Sequence, residues 1–266
     1  MTTIDLHTHT ALCDGNDSPA DLVAEAYRRG FDAIGISGHS YVDFDTCCMT
    51  LEGTLQYRAE INALKQQYKG KMDVFLGLEQ DYYSPKYDEG YDYIIGSVHY
   101  IYKDGEYISV DLNPDRLQKI IARDFGGFDC FAEEYYRLLS DVVNKTNCDI
   151  IGHFDLITKF IETHPHTLTD RYKKTALACV KSLIPHGKPF EINVGAMTRG
   201  YRTSPYPEDF ILKEICRLGG KIVINGDCHN KNNLGDFFDA AVKHAKKCGF
   251  TERLILTTDG FKSEKL

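Results

Sequence analysis

The sequence lacks the features that mark membrane proteins and exported proteins. No apolar run approaches the ~20 residues that a membrane-spanning helix needs. The amino terminus has no charged start followed by a long apolar stretch, which is the pattern of a secretory signal peptide. We therefore expect a soluble protein of the cytoplasm without a membrane partner.

Basic clusters and paired cysteines are also missing. Lys and Arg form no dense block and the formal net charge is -8 at pH 7, so long nucleic acids are not expected as partners. The nine cysteines are odd in number and contain no Cys-x-x-Cys pair. This pattern argues against a disulfide framework and a thiolate zinc knuckle, and it favours reduced thiols.

The composition that remains is that of one large α/β domain. The chain has 266 residues, of which 42% are hydrophobic and 26% charged, which is enough for a substantial core without a second domain. Short apolar runs alternate with helical patterns along the chain, and this alternation predicts a parallel sheet closed into an irregular barrel. We therefore predict a single domain over residues 1–266.

Six of the predicted strands lead into residue types that bind metal ions. In the first, residues 4–9, side chains two apart point the same way, so His7 and His9 direct two imidazoles at one point. The other five runs lead to His39, Glu79, His99, His153 and the Asp227-Cys228-His229 sequence. Because the carboxyl ends of parallel barrel strands open onto one face, these donors are expected to form a single cluster.

Other polar residues near the strand ends allow two interpretations. Asp14 precedes Gly15 in the loop after the first strand, where it either forms a turn or binds metal and moves protons. Glu79 follows an apolar run directly and would be costly to bury unless it is paired or metal-bound. Four histidines fall outside the pattern and are expected to be structural or exposed: His164, His166, His186 and His244.

The remaining elements follow from capping residues and periodicity. Helices are predicted at residues 20–29, 52–68, 130–147, 169–184, 208–218 and 234–247, and a further strand is predicted at residues 190–193. A β-hairpin at residues 100–110 interrupts the regular alternation, and a last short strand is expected at residues 254–257. A polar loop at residues 41–50 could cover the open end of the barrel.

In this order, the motifs resemble the polymerase and histidinol phosphatase (PHP) superfamily. The resemblance rests on His7-Thr8-His9-Thr10, His39, Glu79, Gly96-Ser97-Val98-His99, Gly152-His153-Phe154-Asp155 and Gly226-Asp227-Cys228-His229. Chain length, the Ser-Val-His and Gly-His-x-Asp elements and Glu191-Ile192-Asn193 place the sequence nearest to the histidinol-phosphate phosphatases. The resemblance implies a distorted (β/α)7 barrel with three divalent metal ions, manganese, iron or zinc, at the carboxyl face.

Carried over position by position, the resemblance also implies how the ions are held. One ion would be bound by His7, His9, Glu79 and Asp227. Glu79 would bridge to a second ion bound by His99 and His153. The third would be bound by Asp14, His39 and His229, and the residues implied in catalysis are Asp14, Glu79, Asp227 and His229. Two motifs depart from the family pattern: the second reads Ser37-Gly38-His39, where an Asp often precedes the histidine, and Asp14 stands where some members have histidine.

Such a site favours cleavage of phosphate esters. Two metal ions about 3.5 to 4 Å apart lower the pKa of a bridging water and stabilise the attacking and leaving oxygens, so attack of a metal-bound hydroxide on phosphorus is expected. The phosphate also needs cationic partners, and the nearest basic residues are Lys159, Arg199 and Arg202. Each of these residues is either a phosphate contact or a solvated loop charge, and Lys159 and Arg199 are favoured as contacts because their loops directly follow His153 and Asn193.

The expected reaction is hydrolysis of L-histidinol phosphate to L-histidinol and phosphate, in histidine biosynthesis. Small nucleotides or other phosphate esters are the alternative substrates. A metal-binding module without catalysis is a third possibility, but it predicts missing ligands and none of the main positions lacks one. Tyr41, Asp43 and Tyr100 lie on loops after ligand strands and are possible contacts for the imidazole and amine of the substrate.

Overall fold

The protein is described by a computed structural model that covers residues 1–86, 90–111 and 113–266. The strands of these residues are β1 (Ile4–Asp5), β2 (Ala33–Ile36), β3 (Asp73–Asp81), β4 (Tyr93–Ser97), β5 (Tyr100–Lys103), β6 (Glu106–Ser109), β7 (Ile150–Ile151), β8 (Phe190–Asn193), β9 (Ile222–Asn225), β10 (Glu252–Thr257) and β11 (Gly260–Lys265). Seven of them form one sheet in the order β1-β2-β3-β4-β7-β8-β9. Every neighbouring pair in this sheet is parallel.

The sheet closes where the chain segments after β1 and β9 meet. Thr8 pairs in parallel with Cys228. The backbone N–H of His9 donates to the carbonyl of Cys228 at 2.8 Å, and the N–H of Cys228 donates to the carbonyl of His7 at 3.0 Å. The predicted distorted (β/α)7 barrel is confirmed, and its closing contacts place two predicted ligands beside the loop that carries Asp227.

A tyrosine fills the centre of the barrel. Tyr93, at the start of β4, is fully buried and its hydroxyl donates to the carbonyl of Leu6. Glycines make room for this ring, since a Cβ on Gly35 would lie 2.2 Å from the Tyr93 hydroxyl and one on Gly77 would lie 2.2 Å from its Cζ. The barrel interior below the ligands is therefore a packed core, as expected for this class of fold.

Helices surround the barrel: α1 (Pro19–Arg28), α2 (Leu51–Tyr68), α3 (Pro114–Ile120), α4 (Phe128–Leu139), α5 (Val142–Thr146), α6 (Asp170–Leu183), α7 (Gly195–Thr198), α8 (Asp209–Arg217) and α9 (Phe238–Lys247). The starts of α1 and α6 follow the expected capping chemistry, since Ser18 accepts the N–H of Asp21 and Thr169 accepts the N–H of Tyr172. Within the described ranges, no helix is both long and apolar enough to cross a membrane.

Several element boundaries differ from the prediction. The helix predicted at residues 130–147 is two helices, α4 and α5, and it is preceded by α3 and a π-helical turn at Ile121–Phe125 that the sequence did not predict. Helix α9 starts four residues later than predicted, after a 3-10 turn at Lys231–Asn233. Strand β3 continues to Asp81, so Glu79 lies inside the sheet and pairs with His39 on one side and Ile95 on the other.

A second hairpin closes the amino-terminal end of the barrel. The predicted last strand is present as β10, but it pairs antiparallel with β11, which the sequence did not predict, and it lies outside the barrel sheet. Leu256 of β10 lies in one hydrophobic cluster with Ile4, Phe75 and Tyr93 at the starts of the barrel strands. The hairpin predicted at residues 100–110 is confirmed as β5 and β6, at the opposite end.

Candidate metal centre

Glu79 lies at the centre of a cluster at the carboxyl ends of the strands. Its side chain is 1% exposed. Five imidazole nitrogens surround its carboxylate at 2.9 to 3.5 Å, those of His7, His9, His39, His99 and His153. Its two oxygens face different sets of rings, because Oε1 faces His99 and His153 and Oε2 faces the others. This arrangement suits a carboxylate that bridges two cations.

Two further carboxylates complete the cluster. Asp14 Oδ1 lies 3.5 Å from His9 Nδ1 and 3.6 Å from His39 Nε2, and its Oδ2 lies 3.1 Å from His229 Nε2. Asp227 Oδ1 lies 3.4 Å from both His9 Nε2 and His229 Nδ1. All nine predicted ligands are therefore brought together on one face.

The buried polar atoms of this cluster fit divalent metal ions. Among the described residues, His7 Nε2, His9 Nε2 and Glu79 Oε2 are buried and have no hydrogen-bond partner, which is rare in a folded protein. Three donor groups on this face have ligand atoms within 4.8 Å of one another: His7, His9 and Glu79; His39, Glu79 and His99; and His9, Asp14, His39 and His229. Mixed nitrogen and oxygen donors suit zinc, iron and manganese.

The electrostatics of the cluster favour positive charge. Burial alone would raise the pKa of Glu79, but the charges of His7, His99 and His39 outweigh it and hold this pKa well below its usual value. Burial likewise opposes protonation of His39, yet Glu79 and Asp14 raise its pKa well above the usual range. A metal cation bound between these groups would be attracted by the same carboxylates that favour protonation of His39.

His9 behaves differently from its neighbours. Burial, together with the charges of His229 and His39, lowers the pKa of His9 to about 3. At neutral pH this imidazole is therefore uncharged. Since a neutral imidazole is the form that binds metal, His9 is ready to act as a ligand without losing a proton.

The backbone is shaped to present Asp227. This residue has a φ of +49°, in the left-handed region that residues other than glycine rarely adopt. Gly195 packs against it from the start of α7, and a Cβ on Gly195 would lie 2.6 Å from Asp227 Oδ2. Backbone strain of this kind concentrates at functional sites, where the surrounding structure enforces it.

A cavity of about 370 Å³ opens over the cluster. Beyond the ligands it is lined by Asp45, Cys47, Tyr100, Ser109, Asp111, Leu156, Lys159, Arg199 and Tyr201. Of the three predicted substrate contacts, Tyr100 lines the cavity, whereas within the described part of the chain Tyr41 and Asp43 are not among its lining residues. Asp45, two residues further along the same loop, accepts a hydrogen bond from the Tyr100 hydroxyl at 2.8 Å.

The three predicted phosphate-binding cations have different environments. Arg199 reaches the cavity, with Nη2 3.0 Å from Asp227 Oδ2 and Nη1 2.9 Å from His229 Nδ1. Lys159 also lines the cavity, and its Nζ lies 2.8 Å from Asp111 Oδ2.

Arg202 points elsewhere. It is 4% exposed, donates to Glu208 Oε1 at 2.5 Å, and also donates to the hydroxyl of Thr158. Its guanidinium also lies over the Tyr206 ring. In the described structure it is not among the cavity-lining residues, because it ties the loop after β7 to the start of α8.

The four histidines outside the pattern lie away from this cavity. His164 Nε2 lies 3.2 Å from Asp115 Oδ1, His166 stacks on Phe128 with ring centroids 4.2 Å apart, and His244 Nε2 lies 3.4 Å from Asp209 Oδ1. His186 is exposed at the end of a 3-10 turn.

Sequence reasoning assigned no role at the site to two buried carboxylates that contact the imidazoles of predicted ligands. Glu191 Oε1 lies 2.7 Å from His7 Nδ1, and Asp81 Oδ2 lies 3.3 Å from His99 Nδ1 while it accepts the backbone N–H of His99 at 2.9 Å. A signal for Glu191 was present, since it is a charged residue between the apolar Phe190 and Ile192 of a predicted strand. Buried charge in a strand indicates a partner.

Comparison of the sequence with protein families gives one assignment over most of the chain. Residues 5–195 match the PHP domain. The chain belongs to the PHP domain family. The matched region carries seven of the nine predicted ligands, from His7 to His153, and stops before Asp227 and His229.

Relatives with known names align with most or all of this chain. A histidinol-phosphatase from Bacillus subtilis is 26% identical over 264 residues, which is 89% of this chain and 97% of that protein. A histidinol-phosphatase from Lactococcus lactis is 27% identical, covering 100% of this chain and 97% of that protein. The crystal structure of histidinol phosphate phosphatase from Lactococcus lactis, in complex with zinc, L-histidinol and phosphate, has a TM-score of 0.74 at 23% identity and covers 98% of this chain and 99% of its own.

Proposed function

We propose that this protein is a metal-dependent phosphomonoesterase that hydrolyses L-histidinol phosphate to L-histidinol and phosphate, a step of histidine biosynthesis. The observation that carries the proposal is the donor cluster around Glu79, beneath a cavity lined by both cations and carboxylates. The names of the relatives support it, as do the zinc, histidinol and phosphate bound to the Lactococcus lactis protein. In this proposal, residues 1–266 form one catalytic domain.

The nine ligands would hold three divalent ions, manganese, iron or zinc. Three overlapping donor groups on one face support this number. One ion would be bound by His7, His9, Glu79 and Asp227, a second by Glu79, His99 and His153, and the third by Asp14, His39 and His229. Bound ions of this kind lower the pKa of a coordinated water and neutralise charge that develops on a phosphoryl group.

Two side chains of the chain would bind the phosphate. Arg199 and Lys159 both line the cavity, and each is already paired with a carboxylate. A dianionic phosphate could share these cations with Asp227 and Asp111 through charge-assisted hydrogen bonds. The transition state carries more charge on its oxygens, so the same cations would stabilise it further.

Proton transfer is best assigned to the pair at the cavity rim. Asp14 Oδ2 and His229 Nε2 lie 3.1 Å apart, and both residues are partly exposed to the cavity. Asp14 could bind the third ion through one oxygen and keep the other free to accept a proton from the attacking water and return one to the leaving alkoxide, while His229 would bind the same ion and hold Asp14 in place. Glu79 and Asp227 would act as ligands and electrostatic partners of this reaction.

Acidic and aromatic side chains of the cavity lining suit the organic part of the substrate. Asp45, Tyr100 and Asp111 present two carboxylates and an aromatic ring within the cavity. Histidinol carries a primary ammonium and an imidazole, and such groups favour acidic and aromatic partners. A polyanion would be repelled by these carboxylates and by the net charge of -8.

The test compares phosphate esters on the metal-loaded protein. We expect kcat/KM for L-histidinol phosphate to exceed that for nucleoside monophosphates by at least about tenfold, a difference of roughly 1.4 kcal/mol in transition-state binding. Asp45→Asn should narrow this ratio, whereas the control Asp43→Asn, in the same loop but outside the cavity lining of the described residues, should not. Preference for a nucleotide would replace the proposal with a small-nucleotide phosphoesterase.

A further inference from the structure

A fully buried carboxylate lies directly behind the proposed metal centre. Glu191 projects from β8 and has no exposure to solvent. Four nitrogen groups converge on its two oxygens. Oε1 lies 2.7 Å from His7 Nδ1 and 2.8 Å from Asn225 Nδ2, and Oε2 lies 2.8 Å from the backbone nitrogen of His153 and 3.0 Å from Asn193 Nδ2.

This environment decides which nitrogen of His7 carries the proton. An ionised carboxylate only accepts hydrogen bonds, so Nδ1 of His7 must be the donor to Glu191. The other ring nitrogen, Nε2, then presents its lone pair when a cation is bound. It faces Glu79 Oε2 at 3.3 Å and is one of the buried atoms without a hydrogen-bond partner among the described residues.

The same carboxylate also holds a second proposed ligand. The backbone N–H of His153 donates to Glu191 Oε2, which fixes the chain immediately after β7. One side chain therefore positions the ring of His7 and the backbone of His153, two residues whose rings face different oxygens of Glu79. Carboxylates that orient metal-bound histidines in this way raise ligand basicity and limit ring rotation.

We propose that Glu191 is a positioning residue of the metal centre, which fixes His7 in the Nδ1–H tautomer and anchors the backbone of His153. The inference rests on the proposed metal dependence and adds to it a residue that would touch neither metal nor substrate. It assigns a function to the charged residue that interrupts an apolar strand.

Glu191→Gln is an informative substitution because it keeps the shape of the side chain but replaces one acceptor oxygen by an NH2 donor. All four groups around Glu191 are donors, so the NH2 of a glutamine meets a donor at either oxygen position. The backbone N–H of His153 cannot turn away. The His7 ring can respond by moving its proton from Nδ1 to Nε2, which blocks the nitrogen that would bind metal.

The first measurement is metal affinity, by competition between the protein and a chelator for zinc. Glu191→Gln should weaken zinc binding by about 10- to 100-fold relative to the unmodified protein. The matched control is Asp155→Asn, another fully buried carboxylate, whose Oδ2 accepts the backbone N–H of Glu208 and holds no ligand imidazole. This control should keep zinc affinity within about twofold of the unmodified protein.

A double-substitution cycle separates positioning from general damage. If Glu191 acts mainly through His7, the loss caused by Glu191→Gln should shrink by at least about threefold in a His7→Ala background. A loss of equal size in both backgrounds would overturn the assignment to His7. Unchanged zinc affinity in Glu191→Gln alone would overturn the whole inference.

Nitrogen NMR of the zinc-loaded protein gives an independent readout. The His7 resonances, identified by comparison with His7→Ala, should show a protonated Nδ1 and a zinc-bound Nε2; zinc on Nδ1 would contradict the inference. Failure of the proposed function can be distinguished from failure of this inference. A protein that binds zinc tightly but hydrolyses no phosphate ester would refute the proposed catalysis and leave the positioning role of Glu191 intact. A protein that binds no metal would overturn both.

Discussion

At the amino-terminal end of the barrel, Ile4, Phe75 and Leu256 pack into an apolar core, whereas a few residues further along the same strands the buried side chains are imidazoles and carboxylates. The apolar end gains stability from burial. The polar end removes charged groups from water, which costs free energy unless partners or ions compensate. The comparison therefore separates the part of each strand that stabilises the fold from the part that forms the site.

The two ends also differ in how their polar atoms are paired. In the β10–β11 hairpin, which covers the amino-terminal end of the barrel, Arg253 pairs with Glu264 at 2.9 Å. At the carboxyl end, within the described residues, His9 Nε2 and Glu79 Oε2 are buried without a hydrogen bond. We expect substitutions at the amino-terminal end of the barrel to lower stability and leave catalysis intact. Substitutions at the carboxyl end should impair catalysis and change stability little.

The largest effect should come from removing a ligand at the carboxyl end. His9→Ala should lower metal content and reduce kcat by at least on the order of 10²–10³-fold, because transition-state charge loses its counterion. Elemental analysis and turnover with L-histidinol phosphate measure both effects. His164→Ala is the control, since His164 pairs with Asp115 away from the cavity and should change neither. Retained activity with less than one metal ion per chain would refute the mechanism.

At the other end, Leu256→Ala should lower the free energy of unfolding by about 2 to 3 kcal/mol through lost burial and a residual cavity. Activity per folded molecule and metal content should stay the same. Leu55→Ala is the matched control, because Leu55 is 69% exposed on α2 and its loss should cost less than about 0.5 kcal/mol. Denaturant unfolding measures the difference; an equal cost at both positions would remove the distinction between core and surface leucines.

The three cations near the site allow a finer comparison. Arg199→Ala should reduce kcat/KM by on the order of 10²-fold and Lys159→Ala by about tenfold, as expected for lost stabilisation of phosphoryl charge. Metal content should remain nearly unchanged, because removing a positive charge beside Asp227 does not weaken its attraction for a cation.

Arg202→Ala should act on stability instead. Its guanidinium is bonded to Glu208 and Thr158, so its loss leaves buried groups unpaired and should lower the melting temperature, while kcat/KM per folded molecule changes little. If Arg202→Ala lowers kcat/KM as much as Arg199→Ala without loss of stability, phosphate binding must be reassigned to Arg202.

The smallest expected effect concerns a buried carboxyl group outside the ligand cluster. Burial raises the pKa of Asp155 from 3.8 to about 7. A carboxyl group whose pKa is raised on folding stabilises the protein fully below its unfolded pKa, and this contribution is lost as the pH rises toward 7.

Asp155→Asn has no such titration. Its free energy of unfolding, relative to that of the unmodified protein, should therefore increase between pH 4.5 and 7.5 by at least about 1 kcal/mol. Denaturant unfolding of the metal-free proteins at several pH values measures this. A constant difference across that range would show that Asp155 does not change its protonation on folding in the way its burial implies.

Local patterns were sufficient to predict the barrel strands and the convergence of the proposed ligand residues. The two-residue spacing of His7 and His9 and the apolar runs before Glu79 and His153 are short-range features, and a parallel barrel converts them into one cluster. The positions of strand ends were correct to within a few residues for the same reason.

Features that depend on distant partners were not predictable in this way. Whether Arg202 turns toward the cavity or toward Glu208 is decided by packing of the loop after β8, and the choice of Asp45 over Asp43 depends on the course of a loop without periodicity. Strand β11 is exposed along much of its length and carries no apolar alternation, so only its pairing with β10 reveals it.

The central claim is that the unpartnered atoms of the carboxyl end are metal-ligand atoms, and thermal unfolding of metal-free protein with and without added zinc or manganese tests it most directly. A ligand that binds only the folded state at 100 times its dissociation constant stabilises it by about 2.7 kcal/mol. The account predicts a clear rise in melting temperature for the unmodified protein and a much smaller rise for His9→Ala. Equal melting temperatures with and without metal for the unmodified protein would contradict it.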